Sequence, residues 1–77
     1  MKLLIRNLAR STTEDELKTL FGGYGTVKSC DLVLDQVTAK SKGFAFVEMP
    51  IGKEANAAIK ALNGKTLANK VIRVKKS

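Results

Sequence analysis

The chain has 77 residues, 44% hydrophobic and 27% charged. That balance suits one small folded domain; it excludes a disordered chain, and a second core would need roughly 50 residues of its own. Fourteen Lys and Arg against seven Asp and Glu give a net charge of +7, a field that draws polyanions such as nucleic acid or an anionic membrane surface. A domain of this size buries only about 60% of the surface its unfolded chain exposes, which leaves no room for a deep catalytic cavity and directs attention to the surface.

From Lys2 to Leu8 the residues alternate, Leu3 and Ile5 on one side and Lys2, Leu4 and Arg6 on the other, which predicts a first strand. Arg6, Asn7 and Arg10 interrupt this stretch, so it lacks the apolar core of a secretory signal. The longest apolar runs, Leu3–Ile5, Leu32–Leu34 and Phe44–Val47, fall far below the roughly 20 residues of a membrane span. No membrane partner is expected, and the cytoplasm is the default compartment. Thr13 to Glu16 spells a capping box that opens a first helix, its hydroxyl taking an orphan N–H and Glu16 reaching back to the Thr13 backbone. Leu17, Leu20 and Phe21 follow at helical spacing; Gly22, Gly23 and Gly25 supply left-handed geometry to end the helix, with Tyr24 packed over the turn.

Val27 to Leu34 reads as a second strand running into a polar loop, Asp35 to Ser41. Within it lies Cys30, the sole cysteine, read as a small core residue; one thiol forms neither an internal disulfide nor a multi-cysteine zinc site and fits a reducing interior. No metal or cofactor is expected. Gly43 to Met49 is a third strand, stopped by Pro50. Ala55, Ala58, Ile59 and Leu62 recur at helical spacing and place a second amphipathic helix over about Gly52 to Leu62. Asn63-Gly64 is a turn pair, and Val71 to Lys75 predicts a fourth strand with Ile72 and Val74 inward.

The order strand, helix, strand, strand, helix, strand predicts an α+β fold of the ferredoxin-like, split βαβ type. Four antiparallel strands form the sheet, with both helices on one face and the other face open. In the third strand Lys42, Phe44, Phe46 and Glu48 share a parity, and burying either charge would cost several kcal/mol, so this set faces water. Ala45, Val47 and Met49 then face the helices, and Gly43 and Ala45 are read as small residues where a helix presses close. Two exposed phenyl rings forgo roughly 1.5 to 3 kcal/mol each, which a ligand surface would explain. Lys2, Leu4, Arg6, Arg73 and Lys75 have the parity to join them. Glu14, Asp15, Glu16 and Glu54 lie in or beside the helices, which predicts charge polarised across the sheet. Aromatic platforms edged by Lys and Arg suit single-stranded nucleic acid: bases offer faces to stack, and phosphates seek cations.

Lys42-Gly43-Phe44-Ala45-Phe46-Val47-Glu48-Met49 matches seven of the eight positions of a signature octapeptide, with Met49 the departure, and Leu3-Leu4-Ile5-Arg6-Asn7-Leu8 matches the accompanying hexapeptide, with Leu4 where a stacking aromatic is usual. On these motifs the whole chain, residues 1–77, resembles the RNA recognition motif family. The resemblance implies that Phe46 stacks on a base, that Phe44 packs between sugars or on a neighbouring base, and that Lys42 pairs with a phosphate. It also implies that Arg6 faces the nucleic acid, that Asn7 braces the turn into the first helix, and that the strands lie in the order 4-1-3-2. The resulting interface is Lys2, Leu4, Arg6, Lys42, Phe44, Phe46, Glu48, Arg73 and Lys75. The expected partner is single-stranded RNA, with single-stranded DNA the related alternative, bound by a monomer without catalysis and with modest sequence preference.

Other readings are a protein-docking module, favoured by Leu4, or an acylphosphatase-like enzyme of the same fold. Asn7 and Arg10 lack that enzyme's surrounding signature, and there is no histidine. Gly64-Lys65-Thr66 imitates the end of a phosphate-binding loop, but Ile59 stands where the motif needs glycine, and the segment leaves a helix for a strand.

Overall fold

Alternation in the strands and helical spacing between them meet in one core. Leu3 and Ile5, Ala45 and Val47, and Ile72 and Val74 are buried together with Leu17 and Phe21 of the first helix and Ala55, Ala58 and Leu62 of the second. The computed structural model describes residues 1–77. Its elements are β1 (Lys2–Arg6), α1 (Glu14–Gly22), β2 (Ser29–Leu34), β3 (Ser41–Glu48), α2 (Gly52–Leu62), β4 (Thr66–Leu67), β5 (Lys70–Val71) and β6 (Arg73–Lys76). The main sheet runs β2-β3-β1-β6 with every neighbouring pair antiparallel, the layout of a ferredoxin-like α+β fold with the strand order the resemblance implied. No helix is long and apolar enough to cross a membrane.

Helix α1 begins at Thr13, whose Oγ1 accepts the Glu16 N–H at 3.2 Å, while the same hydroxyl donates to the Glu16 carboxylate at 3.3 Å. The carboxylate thus meets the hydroxyl and not the Thr13 backbone. The helix ends without left-handed geometry, since Gly23 has φ −69, and Tyr24 after it stands 38% exposed. Gly25 is the glycine the fold requires here. A Cβ at Gly25 would collide with the side chain of Glu54, whose carboxylate accepts the Thr26 N–H at 2.9 Å and so pins the turn before β2 to α2.

The ladder between β2 and β3 is regular from Ser29↔Glu48 to Leu32↔Ala45 and then shifts, Leu34 pairing with Ser41. Gly43 sits in this bulge with φ +85, where a Cβ would stand 3.3 Å from the Leu8 carbonyl oxygen. Ala45 is the small residue of the core; Gly43 is small because of the bulge, contrary to the expectation that both lie under a helix. Strand β2 is an edge, and part of that edge is covered: the Leu32 N–H donates to the Glu14 carboxylate at 3.1 Å.

The chain between α2 and the last strand holds a hairpin that composition did not suggest. β4 and β5 pair through a two-residue turn, Ala68-Asn69, with φ +50 and +66. Both turn residues are left-handed, the geometry that two-residue hairpins favour, although alanine gives up roughly 1–2 kcal/mol there. Val71 therefore belongs to β5, and the last main-sheet strand starts at Arg73.

Cys30 is buried in the core as expected. Burial first, and the Glu14 carboxylate second, push its thiol from an ordinary 9.0 up to about 11. The thiolate is the reactive form, so at pH 8 the folded chain should be alkylated by iodoacetamide about a hundredfold more slowly than the urea-unfolded chain. Mass-resolved labelling kinetics check this, and equal rates would show that the thiol is not protected.

Candidate nucleic-acid interface

In an antiparallel sheet, directly opposed residues project to the same face, so the register assembles the site row by row. Asp31 opposes Phe46, Phe46 opposes Leu4, and Leu4 opposes Lys75, forming one row across four strands. Beside it, Ser29, Glu48 and Lys2 form a second row, and Arg6 opposes Arg73 in a third. All nine residues expected at the interface are thereby gathered on or beside the face away from the helices. Lys2, Arg6, Lys42, Arg73 and Lys75 are exposed, while Leu4, Phe44, Phe46 and Glu48 are half-buried.

The two rings meet edge to face, with centroids 6.3 Å apart and planes at 88°. They are accessible but not bare: the Lys2 ammonium stands 4.9 Å from the centroid of Phe46, a cation–π contact within the chain. Lys42 lies in the irregular end of the β2–β3 ladder, between Ser41 and the Gly43 bulge, and is exposed. It lines a hollow of about 300 Å³ beside Phe44, together with Arg6, Arg10 and Lys70. A second hollow, about 580 Å³, lies between Arg6, Arg73, Lys75, Asn7 and Asn63.

The expected polarisation of charge is incomplete. Glu48 lies on the open face paired with Lys28 at 3.5 Å, an exposed contact worth at most about 1 kcal/mol. Asp31 stands on the same face beside Phe46. The alternation that sends Cys30 and Leu32 inward also sends Asp31 outward, so its position is available in the sequence. Lys70 is not, because the hairpin that carries it turns on Ala68-Asn69, a pair without the usual glycine marker. Arg10 donates to the Ser41 carbonyl and lines the same cleft, a bracing role for the loop before β3. Asn7, at φ +60, donates its amide to the Val71 carbonyl at 2.7 Å, tying the end of β1 to the added hairpin, not to the turn into α1. The loop before β3 is folded on itself: the Asp35 carboxylate accepts the Thr38 and Val37 N–H groups, which hold its pKa below the ordinary 3.8. No group of three or more His, Cys, Asp or Glu side chains is placed to hold a metal ion.

Protein elav of Drosophila melanogaster is 46% identical over 72 residues, covering 94% of this chain and 15% of elav, so the chain spans a minor part of that relative. The crystal structure of RNA binding protein PG1 superposes with a TM-score of 0.97 at 32% identity, covering 100% of this chain and 93% of PG1. The Sxl-lethal protein in complex with RNA superposes with a TM-score of 0.94 at 34% identity, covering 99% of this chain and 46% of that one. The family model of the RNA recognition motif matches residues 3–73, and with the octapeptide on β3 and the hexapeptide on β1 side by side in the sheet, the chain belongs to the RNA recognition motif family.

Proposed function

We propose that residues 1–77 act as one non-catalytic domain that binds single-stranded RNA across the open sheet. The observation that carries this reading is the pair of accessible rings, Phe44 and Phe46, set edge to face among exposed cations. Phe46 stacks on a base, Phe44 packs on a sugar or a neighbouring base, and Leu4 adds apolar contact. Lys2, Arg6, Lys42, Arg73 and Lys75 neutralise phosphates. Glu48 lies within the footprint as part of an ion pair. Base stacking is worth about 1–3 kcal/mol per base and tolerates any sequence, which accounts for a modest preference. Membership of the family and the RNA-bound structural neighbour support RNA as the ligand. Single-stranded DNA offers the same faces and phosphates and should compete. One chain makes one complete site.

Titration with short randomised RNA should shift the amides of Leu4, Phe44, Phe46 and Arg73 and leave those on the outer sides of α1 and α2 unmoved. Shifts confined to the helices, with RNA inert, would replace RNA binding by protein docking. If Lys2, Arg6, Lys42, Arg73 and Lys75 each neutralise one phosphate, log K should fall with log salt with a slope of about −3.5, at roughly 0.7 per phosphate on a single strand. A flat response would remove the phosphate contacts.

A further inference from the structure

We infer that Asp31 reads the base stacked on Phe46 and selects guanine there. This rests on the stacking role proposed above for Phe46. The paired strands carry two carboxylates on the open face, Asp31 and Glu48. Glu48 is engaged by Lys28. Asp31 is exposed, makes no side-chain hydrogen bond and no ion pair, and opposes Phe46 directly in the ladder. Opposed residues in an antiparallel pair have Cβ atoms about 4.5–5.5 Å apart, so the carboxylate stands at the rim of the ring. Aspartate is unfavourable in a strand, and a negative charge weakens a surface that collects phosphates. A specific contact with the ligand accounts for it at this position.

An ionised carboxylate only accepts hydrogen bonds, and its two oxygens accept side by side. Guanine alone among the four bases presents two adjacent donors on its Watson–Crick edge, N1–H and the 2-amino group. Adenine and cytosine offer one amino group beside a ring acceptor, and uracil offers one N–H between two carbonyls. Each of those would turn a lone pair toward Asp31. The row continues on the other side of the ring through Leu4 to Lys75. Guanine has acceptors at O6 and N7, which suit that basic side. Anion, ring, apolar contact and cation thus follow one another in the order of guanine's donors, face and acceptors.

The test uses uridine hexamers with one central guanosine, inosine or adenosine, titrated by fluorescence anisotropy into wild type, Asp31→Ala and Phe46→Ala. Inosine keeps the ring, N1–H, O6 and N7 and lacks only the 2-amino group. Wild type should bind the guanosine hexamer about tenfold more tightly than the inosine one, the order expected for one charge-assisted hydrogen bond. Asp31→Ala should bring that ratio close to one. The relief of long-range repulsion between this carboxylate and the phosphates is the same for all three hexamers and cancels in the ratio. Equal wild-type affinity for guanosine and inosine, with Phe46→Ala still weakening all three, would overturn guanine selection and leave the stacking platform standing. A ratio that survives in Asp31→Ala would likewise overturn it, by assigning the selection elsewhere. Phe46→Ala without effect on any hexamer would remove the platform and the selection with it.

Discussion

Phe46→Ala should weaken binding of single-stranded RNA by about 1–3 kcal/mol, the value of one base stack, in a chain that still melts cooperatively. The ring lies between two conditions: accessible enough to meet a base, yet engaged with the edge of Phe44 and the Lys2 ammonium. An edge-to-face pair contributes about 0.5–1.5 kcal/mol and an exposed cation–π contact about 0.5–1 kcal/mol, so the variant is somewhat less stable. In a domain of this size 1 kcal/mol moves the thermal midpoint by about 4–8 °C, so affinity is best measured well below the transition. Anisotropy titration gives the affinity, and circular dichroism on the same sample gives the folded fraction. Unchanged affinity would mean that Phe46 is not a platform.

The same substitution at Phe21 should have the opposite consequence. Phe21 is 0% exposed and packs from α1 into the core. Truncating a buried phenylalanine costs about 3–5 kcal/mol through lost transfer energy and the cavity left behind. Small domains hold about 0.05–0.15 kcal/mol per residue, roughly 4–12 kcal/mol for a chain this short, so Phe21→Ala consumes a large share of its stability. Its urea midpoint should fall far below that of wild type, and much of the chain should be unfolded at 37 °C. A midpoint close to wild type would contradict the placement of Phe21 in the core. RNA binding, measured at low temperature on the folded fraction, should be preserved.

The elements legible in the sequence were those whose evidence is local. Ala55, Ala58 and Leu62 set the buried face of α2, whose bounds, Gly52 to Leu62, coincide with the expected ones. Thr13 marked the start of α1, and the charges of Lys42 and Glu48 settled which side of β3 is wet. Strand order came from the family resemblance alone, because alternation says which face a residue takes and not which strand lies beside it. The unread features each depend on a distant partner or an unusual residue. Gly25 looked like a helix terminator, but its reason is Glu54, brought near only by the fold. Gly43 looked like a core spacer and is a bulge set by Leu8 and Ser41. The β4–β5 hairpin turns on Ala68-Asn69, without the glycine that usually marks such a turn. Asp31 is legible by parity, since the alternation that turns Cys30 inward turns it outward.

The ammonium poised on Phe46 has a consequence for how the surface fills. In the free domain the platform already holds an internal guest, so a nucleobase stacking there as proposed would arrive by substitution and not by addition. The evicted side chain would stay leashed to its strand and become available to the incoming phosphodiester. On the proposed binding mode a single lysine would guard the seat while it is vacant and grip the strand once it is taken.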